Sequence, residues 1–234
     1  MNKETFIVLR KTSFLDYPGL ISAVIFFPGC NLHCPWCHNR ELVLNTGMYK
    51  TGNDNKTDYI GLDNALLHIK DRKNVLGGVV LSGGEPTLYS GLGELVSAIK
   101  TMGLKCKLDT NGLLPDILET LIKIDETKPD YIAMDLKTSP FRYWELLEKT
   151  VYPGNPEEAI QRSAALIRAS GIEHEFRSIN LPESTYSGQD HFFGEKEKAA
   201  IALLAGDSVW NIRPFLPGNC LDPAWNHSSQ TNEP

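Results

Sequence analysis

The sequence contains no apolar run long enough to cross a membrane. A spanning helix needs about 20 consecutive apolar residues, and the longest runs in this chain of 234 residues, such as residues 21–27, are far shorter. The first six residues also lack the apolar core and the cleavage site of a secretory signal peptide. We therefore expect a cytoplasmic protein that has no membrane partner.

An excess of positive charge is also absent. The chain has 23 Lys and Arg residues against 29 Asp and Glu residues, which gives a formal net charge of −6. A general nucleic-acid-binding protein needs a basic face, so we expect no nucleic-acid partner. No internal repeat or flexible linker is visible. The predicted organisation is a single domain over residues 1–225 and a polar, disordered tail over residues 226–234.

Cysteine is scarce, and its placement is uneven. Of the five cysteines, Cys30, Cys34 and Cys37 follow the spacing Cys-x3-Cys-x2-Cys, whereas Cys106 and Cys220 stand alone. An odd group of cysteines in a chain without a secretory signal argues against a disulfide framework. We expect the two isolated cysteines to be packed as small apolar residues.

The three close cysteines can converge on one metal centre from a single loop. A cubane iron–sulfur cluster is usually held by four thiolates, so three cysteines would leave one iron open for chemistry. The alternative is a zinc site that combines the three cysteines with His33 or His38. The spacing leaves both sites open and favours the iron–sulfur cluster.

Strand and helix patterns alternate along the chain. Apolar runs predict a short first strand and then six main strands, over residues 6–9, 21–27, 79–81, 105–108, 131–134, 172–179 and 208–212. Helical patterns start near residues 62, 92, 115, 141, 156 and 195, and residues 45–58 predict a loop. This alternation indicates parallel βαβ units. Six strands are too few for a closed eight-stranded barrel, which leaves a partial barrel or a flat doubly wound sheet.

Polar residues follow several of these strands directly. They are the cysteine loop, Gly83-Gly84-Glu85, Asp109 to Gly112, and Asp135 to Lys137. A lone Gly-Gly is usually a turn, and a lone Asp-x-Lys is usually a surface ion pair. In a parallel barrel, however, the carboxyl ends of the strands share one face, where active sites are built. The sequence therefore predicts one site at that face.

The cysteine segment resembles the signature of the radical S-adenosylmethionine (SAM) superfamily, Cys-x3-Cys-x-aromatic-Cys, with Trp36 at the aromatic position. The following His38-Asn39 is similar to the form found in activating enzymes of glycyl radical enzymes. Within that group the chain resembles anaerobic ribonucleoside-triphosphate reductase activating proteins. The likeness includes residues 13–19 and extends at least to the strand that carries Arg177.

The resemblance implies a fold, cofactors and partners. The implied fold is an α/β partial (β/α)6 TIM-like barrel of the radical SAM type. The implied cofactors are one [4Fe–4S] cluster held by Cys30, Cys34 and Cys37, SAM, and a monovalent cation. The reduced cluster would cleave SAM to methionine and a 5′-deoxyadenosyl radical, which takes hydrogen from a glycine of anaerobic ribonucleotide reductase. The implied electron donor is a low-potential protein such as flavodoxin or ferredoxin.

The resemblance also implies which residues contact SAM. Gly83, Gly84 and Glu85 correspond to a stretch that contacts the SAM amino group, and glycines let a backbone approach a ligand closely. The other implied contacts are Trp36 beside the adenine, Asp109, Thr110 and Asp135 around SAM and the cation, Lys137 opposite the SAM carboxylate, and Arg177 near SAM.

Ordinary structural roles remain open for several of these residues. Asp109 and Asp135 could cap helices, Arg177 could form an ion pair with Glu175 or another neighbour, and Trp36 could be simple packing.

The chain departs from the family pattern near its end. Residues 211–218 contain no histidine, whereas pyruvate formate-lyase activating enzymes carry one near the adenine in this region. Two other functions also stay open. One is a radical SAM enzyme acting on a small molecule, similar to 7-carboxy-7-deazaguanine synthase. The other is a zinc-stabilised binding module without catalysis.

Overall fold

One β-sheet organises the chain. The computed structural model describes residues 5–44, 59–147, 152–182 and 192–227. Within these ranges the strands are β1 (Phe6–Ser13), β2 (Ser22–Phe27), β3 (Tyr59–Gly61), β4 (Gly78–Gly83), β5 (Lys105–Thr110), β6 (Tyr131–Asp135), β7 (Glu173–Asn180) and β8 (Trp210–Pro214). They form a single sheet with the order β3-β1-β2-β4-β5-β6-β7-β8.

Helices connect most of the strands. The α-helices are α1 (Arg40–Leu44), α2 (Leu62–Asp71), α3 (Leu92–Thr101), α4 (Pro115–Lys123), α5 (Pro156–Ala169) and α6 (Glu195–Ala205). In the described ranges, three short 3₁₀ helices span Pro86–Leu88, Pro140–Leu146 and Pro223–His227. Proline suits the first helical turn, because its missing N–H would have no partner there. No helix in the described ranges combines the length and apolar character needed to cross a bilayer.

The strand order decides between the two predicted folds. β2 and β4 to β8 are parallel and lie side by side in sequence order, whereas β1 and β3 pair antiparallel at one edge. A doubly wound sheet reverses its strand order at a switch point, and this sheet has no such reversal. The predicted α/β partial (β/α)6 TIM-like barrel is therefore confirmed.

The two faces of the sheet differ in polarity. One face packs on the helices and supplies the main apolar core, including Ile25, Leu81 and Leu108. Side chains alternate between faces along a strand, so the intervening residues face the other side. Tyr17, Val24 and Val80 form a small apolar cluster there. We call this second side the inner face of the sheet. Towards the carboxyl ends of the strands it carries charged side chains, namely Lys107, Asp109, Asp135, Glu175 and Arg177.

Some boundaries differ from the sequence predictions. The segment predicted as a helix over residues 141–149 is the 3₁₀ helix Pro140–Leu146. Three of its buried residues, Pro140, Tyr143 and Leu146, are three positions apart, which is the repeat of a 3₁₀ helix. The predicted loop at residues 45–58 lies outside the described residues. Asn226 and His227, predicted as part of the tail, belong to the last 3₁₀ helix, and residues 228–234 are not described.

Candidate active site

The polar groups predicted from sequence meet in one cavity at the carboxyl ends of the parallel strands. This cavity, called here the cluster cavity, has a volume of about 200 Å³. The site residues that line it are Cys30, Cys34, Trp36, Cys37, Gly83, Gly84, Glu85, Asp109, Thr110, Asp135 and Lys137. Arg177 lies in an adjoining cavity of about 250 Å³, which shares several walls with the first.

The cysteine loop is held by backbone hydrogen bonds to neighbouring elements. The N–H of Glu85 donates to the Gly29 carbonyl at 2.9 Å, and the N–H of His33 donates to the Leu146 carbonyl at 2.7 Å. Burial, reinforced by Glu85, raises the pKa of the Cys30 thiol to about 12. Burial also raises the pKa of the Cys34 thiol. Thiols of this kind release their protons when a metal stabilises the thiolate.

The donor set suits an iron–sulfur cluster. The three cysteines are free of disulfide bonds, and thiolates are the usual ligands of such clusters. All three line the same cavity, so their thiolates can serve one bound group.

Gly83 and Gly84 are required by the backbone around them. A Cβ on Gly84 would lie 1.9 Å from the Gly29 carbonyl oxygen, and a Cβ on Gly83 would lie 2.3 Å from the Phe27 nitrogen. Gly83 also has a φ of +120°, which side-chain-bearing residues rarely adopt. The end of β4 thus packs directly on the backbone that leads into the cysteine loop. This close packing explains why both positions are glycine, and the sequence argument did not predict it.

Glu85 joins the loops after β4 and β5. It is 1% exposed, and burial raises the pKa of its carboxyl group. Its Oε1 accepts hydrogen bonds from the Thr87 N–H, the Thr87 hydroxyl and the Thr110 hydroxyl, and its Oε2 accepts one from the Asn111 N–H. The carboxylate is therefore committed to protein donors, and its contact with SAM stays a prediction.

A chain of alternating charges crosses the inner face of β5, β6 and β7. Lys107 Nζ lies 2.7 Å from Asp109 Oδ1, and Arg177 Nη1 lies 3.4 Å from the same oxygen. Asp135 accepts from Arg177 Nε at 2.7 Å and from Lys137 Nζ at 2.9 Å. Although burial opposes its charge, Arg177 and Lys137 hold the pKa of Asp135 well below its usual range.

These ion pairs resolve two of the ordinary roles left open by the sequence. Asp109 and Asp135 do not cap the described helices that follow them. The residue before α4 is Leu114 and the residue before the 3₁₀ helix Pro140–Leu146 is Ser139, and neither helix has a side-chain cap. Arg177 forms its ion pairs with Asp109 and Asp135 rather than with Glu175. The predicted pairing with a neighbour is therefore present, and it forms part of the site.

The residues after β8 form a second layer over the cysteine loop. We call residues 215–227 the C-terminal strap. The N–H of Leu221 donates to the Cys37 carbonyl, and the N–H of Asp222 donates to the Pro35 carbonyl, both at 2.9 Å. The strap also carries Trp225, whose ring centroid is 5.5 Å from that of Trp36. As predicted, the isolated cysteines Cys106 and Cys220 are buried.

Trp36 is packed on two sides. It is 2% exposed, with Trp225 on one side and Phe192 at 4.9 Å between ring centroids. Trp36 therefore has the packing role that the sequence left open. Trp36 also lines both cavities, so its implied position beside the adenine stays a prediction.

Sequence reasoning gave no individual role to several lining residues. Asn39, Asn111 and Ile179 line the cluster cavity, and Asp16 and Arg213 line the adjoining cavity. Asp16 lies in the segment 13–19 that carried part of the family resemblance, so a signal for it was present. Arg213 stands alone in an edge strand, where nothing in the pattern distinguishes it from a solvent-facing residue.

Comparison with known proteins shows the family of the chain. The model of the Radical SAM superfamily matches residues 24–192. The chain therefore belongs to the radical SAM superfamily. Over 214 residues it is 37% identical to a protein of Methanocaldococcus jannaschii that is provisionally named a glycyl-radical enzyme activating enzyme, covering 90% of this chain and 79% of that protein. Within the superfamily, the chain is thus a homologue of activating enzymes of this kind.

Other relatives match over shorter stretches. Pyruvate formate-lyase-activating enzyme of Streptococcus mutans is 33% identical over 144 residues, covering 58% of this chain and 52% of the relative. The 7-carboxy-7-deazaguanine synthase of Buchnera aphidicola is 29% identical over 137 residues, covering 54% and 61%. Streptococcus suis SuiB bound to S-adenosylmethionine shares the fold, with a TM-score of 0.54 and 16% identity over 83% of this chain and 42% of SuiB.

Family membership establishes the cofactors. Radical SAM enzymes use a [4Fe–4S] cluster and SAM, and the free thiols of the cluster cavity suit that cluster.

Proposed function

We propose that this protein is an activase that generates a glycyl radical on a partner enzyme. The observation that carries this is the match over 90% of the chain to a protein named as a glycyl-radical enzyme activating enzyme. The site alone would suit many radical SAM enzymes. The match to the S. mutans pyruvate formate-lyase-activating enzyme supports the same class.

The residues of the cluster cavity have distinct tasks in this proposal. When bound, the cluster and SAM supply the one-electron cleavage of SAM and the hydrogen abstraction from glycine. Cys30, Cys34 and Cys37 would hold the cluster through their thiolates, which would leave one position of the cluster without a protein ligand and open to SAM. Lys137 has three N–H donors and gives one to Asp135, so it retains donors for the SAM carboxylate.

Cationic side chains of the protein would compete with a monovalent cation at its proposed site. The resemblance places Asp109, Thr110 and Asp135 around SAM and this cation. Lys107, Arg177 and Lys137 already contact these carboxylates. A bound cation therefore has to displace these cationic groups or share the carboxylates with them.

We further propose that the substrate is the glycyl radical loop of an anaerobic ribonucleotide reductase, with flavodoxin or ferredoxin as the electron donor. The choice of reductase rests on residues 13–19 and on Cys37-His38-Asn39. Asp16, from the first of these segments, lines the cavity beside Arg177. Such a position suits a segment that meets the substrate next to SAM.

The decisive experiment is anaerobic mixing of the reduced protein, SAM and the reductase, followed by electron paramagnetic resonance (EPR). We expect a glycine-centred doublet on the reductase, and its loss when the target glycine is changed to alanine. Cys34→Ala should abolish both the cluster and the doublet, whereas Cys106→Ala should keep both. Iron and sulfide analysis of the same samples tests the zinc alternative directly.

A small-molecule substrate is the second candidate, because the chain also matches 7-carboxy-7-deazaguanine synthase of B. aphidicola. In that case the reductase would carry no radical, and a small molecule would accelerate the release of 5′-deoxyadenosine. That pair of results would replace the activase proposal.

A further inference from the structure

Two asparagine side chains meet beside the first cysteine of the loop. Asn111 is 4% exposed. Its Nδ2 lies 2.7 Å from Asn31 Oδ1 and 3.8 Å from Cys30 Sγ. The N–H of Leu32 also points at this sulfur, at 3.4 Å. Cys30 therefore has two N–H donors in place before any cofactor is considered.

The surrounding backbone determines which way both amides point. The N–H of Leu113 donates to Asn111 Oδ1 at 3.0 Å, and the N–H of Asn111 donates to Glu85 Oε2 at 2.7 Å. With its oxygen held by Leu113, Asn111 turns its NH₂ group towards Asn31 and Cys30. Asn31 must then present its oxygen to Asn111, so the NH₂ group of Asn31 is left for another acceptor.

That second NH₂ group has no acceptor in the part of the chain that the structure describes. Asn31 Nδ2 is buried and has no hydrogen-bond partner among the described residues. A buried donor without a partner costs free energy, and in native proteins it often marks a redox site or an acceptor supplied by a bound group. Asn31 follows Cys30 directly, so sulfur of the bound cluster is the acceptor at hand.

We propose that Asn31 and Asn111 set the reduction potential of the cluster by donating N–H bonds to sulfur. Asn111 donates to Cys30 Sγ, and Asn31 donates to a cluster sulfur. The reduced cluster carries one more negative charge than the oxidised cluster, so these donors stabilise it more and raise the potential. This role rests on Cys30 as a cluster ligand, and it can fail while the activase function stands.

The test is a reductive titration of the cluster in the absence of SAM and of any partner enzyme. Asn31→Ala removes one donor without adding charge. Asn111→Asp keeps the oxygen that binds Leu113 and replaces the NH₂ group with a charged oxygen, which lowers the potential by its charge as well, so Asn31→Ala is the deciding variant. In each variant we expect the ratio of reduced to oxidised cluster at a fixed potential to fall about tenfold, which for one electron corresponds to about 59 mV. Asn155→Asp, at the start of α5, is the matched control and should leave the ratio unchanged.

A second measurement does not depend on the potential. Electron–nuclear double resonance of the reduced cluster detects exchangeable protons near sulfur, and each variant should lose one coupled proton. Wild-type titration curves and unchanged proton couplings in Asn31→Ala, with full iron and sulfide, would overturn the proposal. If Asn111→Asp fails to assemble the cluster, Asn31→Ala decides alone, since its side chain makes no bond that orders the backbone.

Discussion

Lys137 sits at the point where the charge chain of the inner face reaches the cluster cavity. Its Nζ donates to Asp135, which holds the ammonium group in place at the cavity wall. Because Lys137 contacts none of the three cysteines through a hydrogen bond in the described structure, its role can be separated from cluster assembly.

We predict that Lys137→Ala weakens SAM binding at least tenfold and leaves the iron and sulfide content unchanged. A hydrogen bond to a charged group contributes about 1.5–3 kcal/mol, and a tenfold change corresponds to about 1.4 kcal/mol. Isothermal titration of SAM into anaerobic, cluster-loaded protein measures the effect. Lys128→Ala, whose ammonium group contacts the Ser170 carbonyl far from the site, is the control. Equal SAM affinity in wild type and Lys137→Ala would remove Lys137 from the site.

At the level of secondary-structure elements, the C-terminal strap is the part that most directly supports the metal-binding loop. Its backbone N–H groups donate to two carbonyl groups of the loop, those of Pro35 and Cys37, and its Trp225 packs against Trp36. Asn219, at the start of the strap, has a φ of +54°. A positive φ is uncommon for a residue other than glycine, and it turns the chain back onto the cysteine loop.

We predict that Trp225→Ala destabilises the protein by about 3–5 kcal/mol, the usual cost of removing a buried tryptophan side chain. It should also accelerate loss of the cluster in air, because the loop loses its outer support. Urea unfolding of the apoprotein and the decay of cluster absorption measure the two effects. Trp144→Ala, at a half-exposed tryptophan, is the matched control. A cluster of unchanged lifetime in Trp225→Ala would show that the strap is only part of the core.

The elements differ in how far the sequence could predict them. The helices α3 and α5 follow from apolar periodicity and from glycines at their ends, with Gly103 and Gly171 both at positive φ. β3 could not be predicted, since it is three residues long and depends on pairing with β1. The strap was missed for a similar reason, because it binds the loop through backbone groups that leave no pattern in the side chains.

The candidate site shows the same division. Residue types and positions predicted the converging cysteines, glycines and charged groups, because chemistry restricts which side chains can serve. The partners of those groups, such as Lys107 for Asp109 and Asn111 for Cys30, depend on which strands are neighbours. Strand neighbours follow from the whole fold, and a single sequence does not contain them in readable form.

At the scale of the whole molecule, the buried ion pairs of the inner face couple folding to pH. The pKa of Asp135 is lower in the folded chain than in the unfolded chain, where it is about 3.9. Its contribution to stability is therefore complete above that value and is lost as the pH falls towards the folded pKa. Glu85 acts in the opposite direction, because burial raises its pKa.

We predict that the free energy of unfolding of the wild-type apoprotein falls as the pH is lowered from about 5 to about 3, and that Asp135→Asn makes this slope shallower. Urea unfolding at several pH values measures both. Asp71→Asn, at the exposed end of α2, makes the same chemical change at a residue outside these ion pairs and should leave the slope unchanged. Parallel pH curves for the wild type and Asp135→Asn would contradict the assignment.

The position of the strap in the chain also has a consequence for the order of assembly. A ribosome releases the cysteine loop long before it makes residues 215–227, and during that interval the carbonyl groups of Pro35 and Cys37 have no strap to bind them. Trp36 likewise lacks Trp225. We therefore expect stable loading of the cluster to follow the synthesis of β8 and the strap, so that maturation of the metal centre waits for a segment made long after its own ligands.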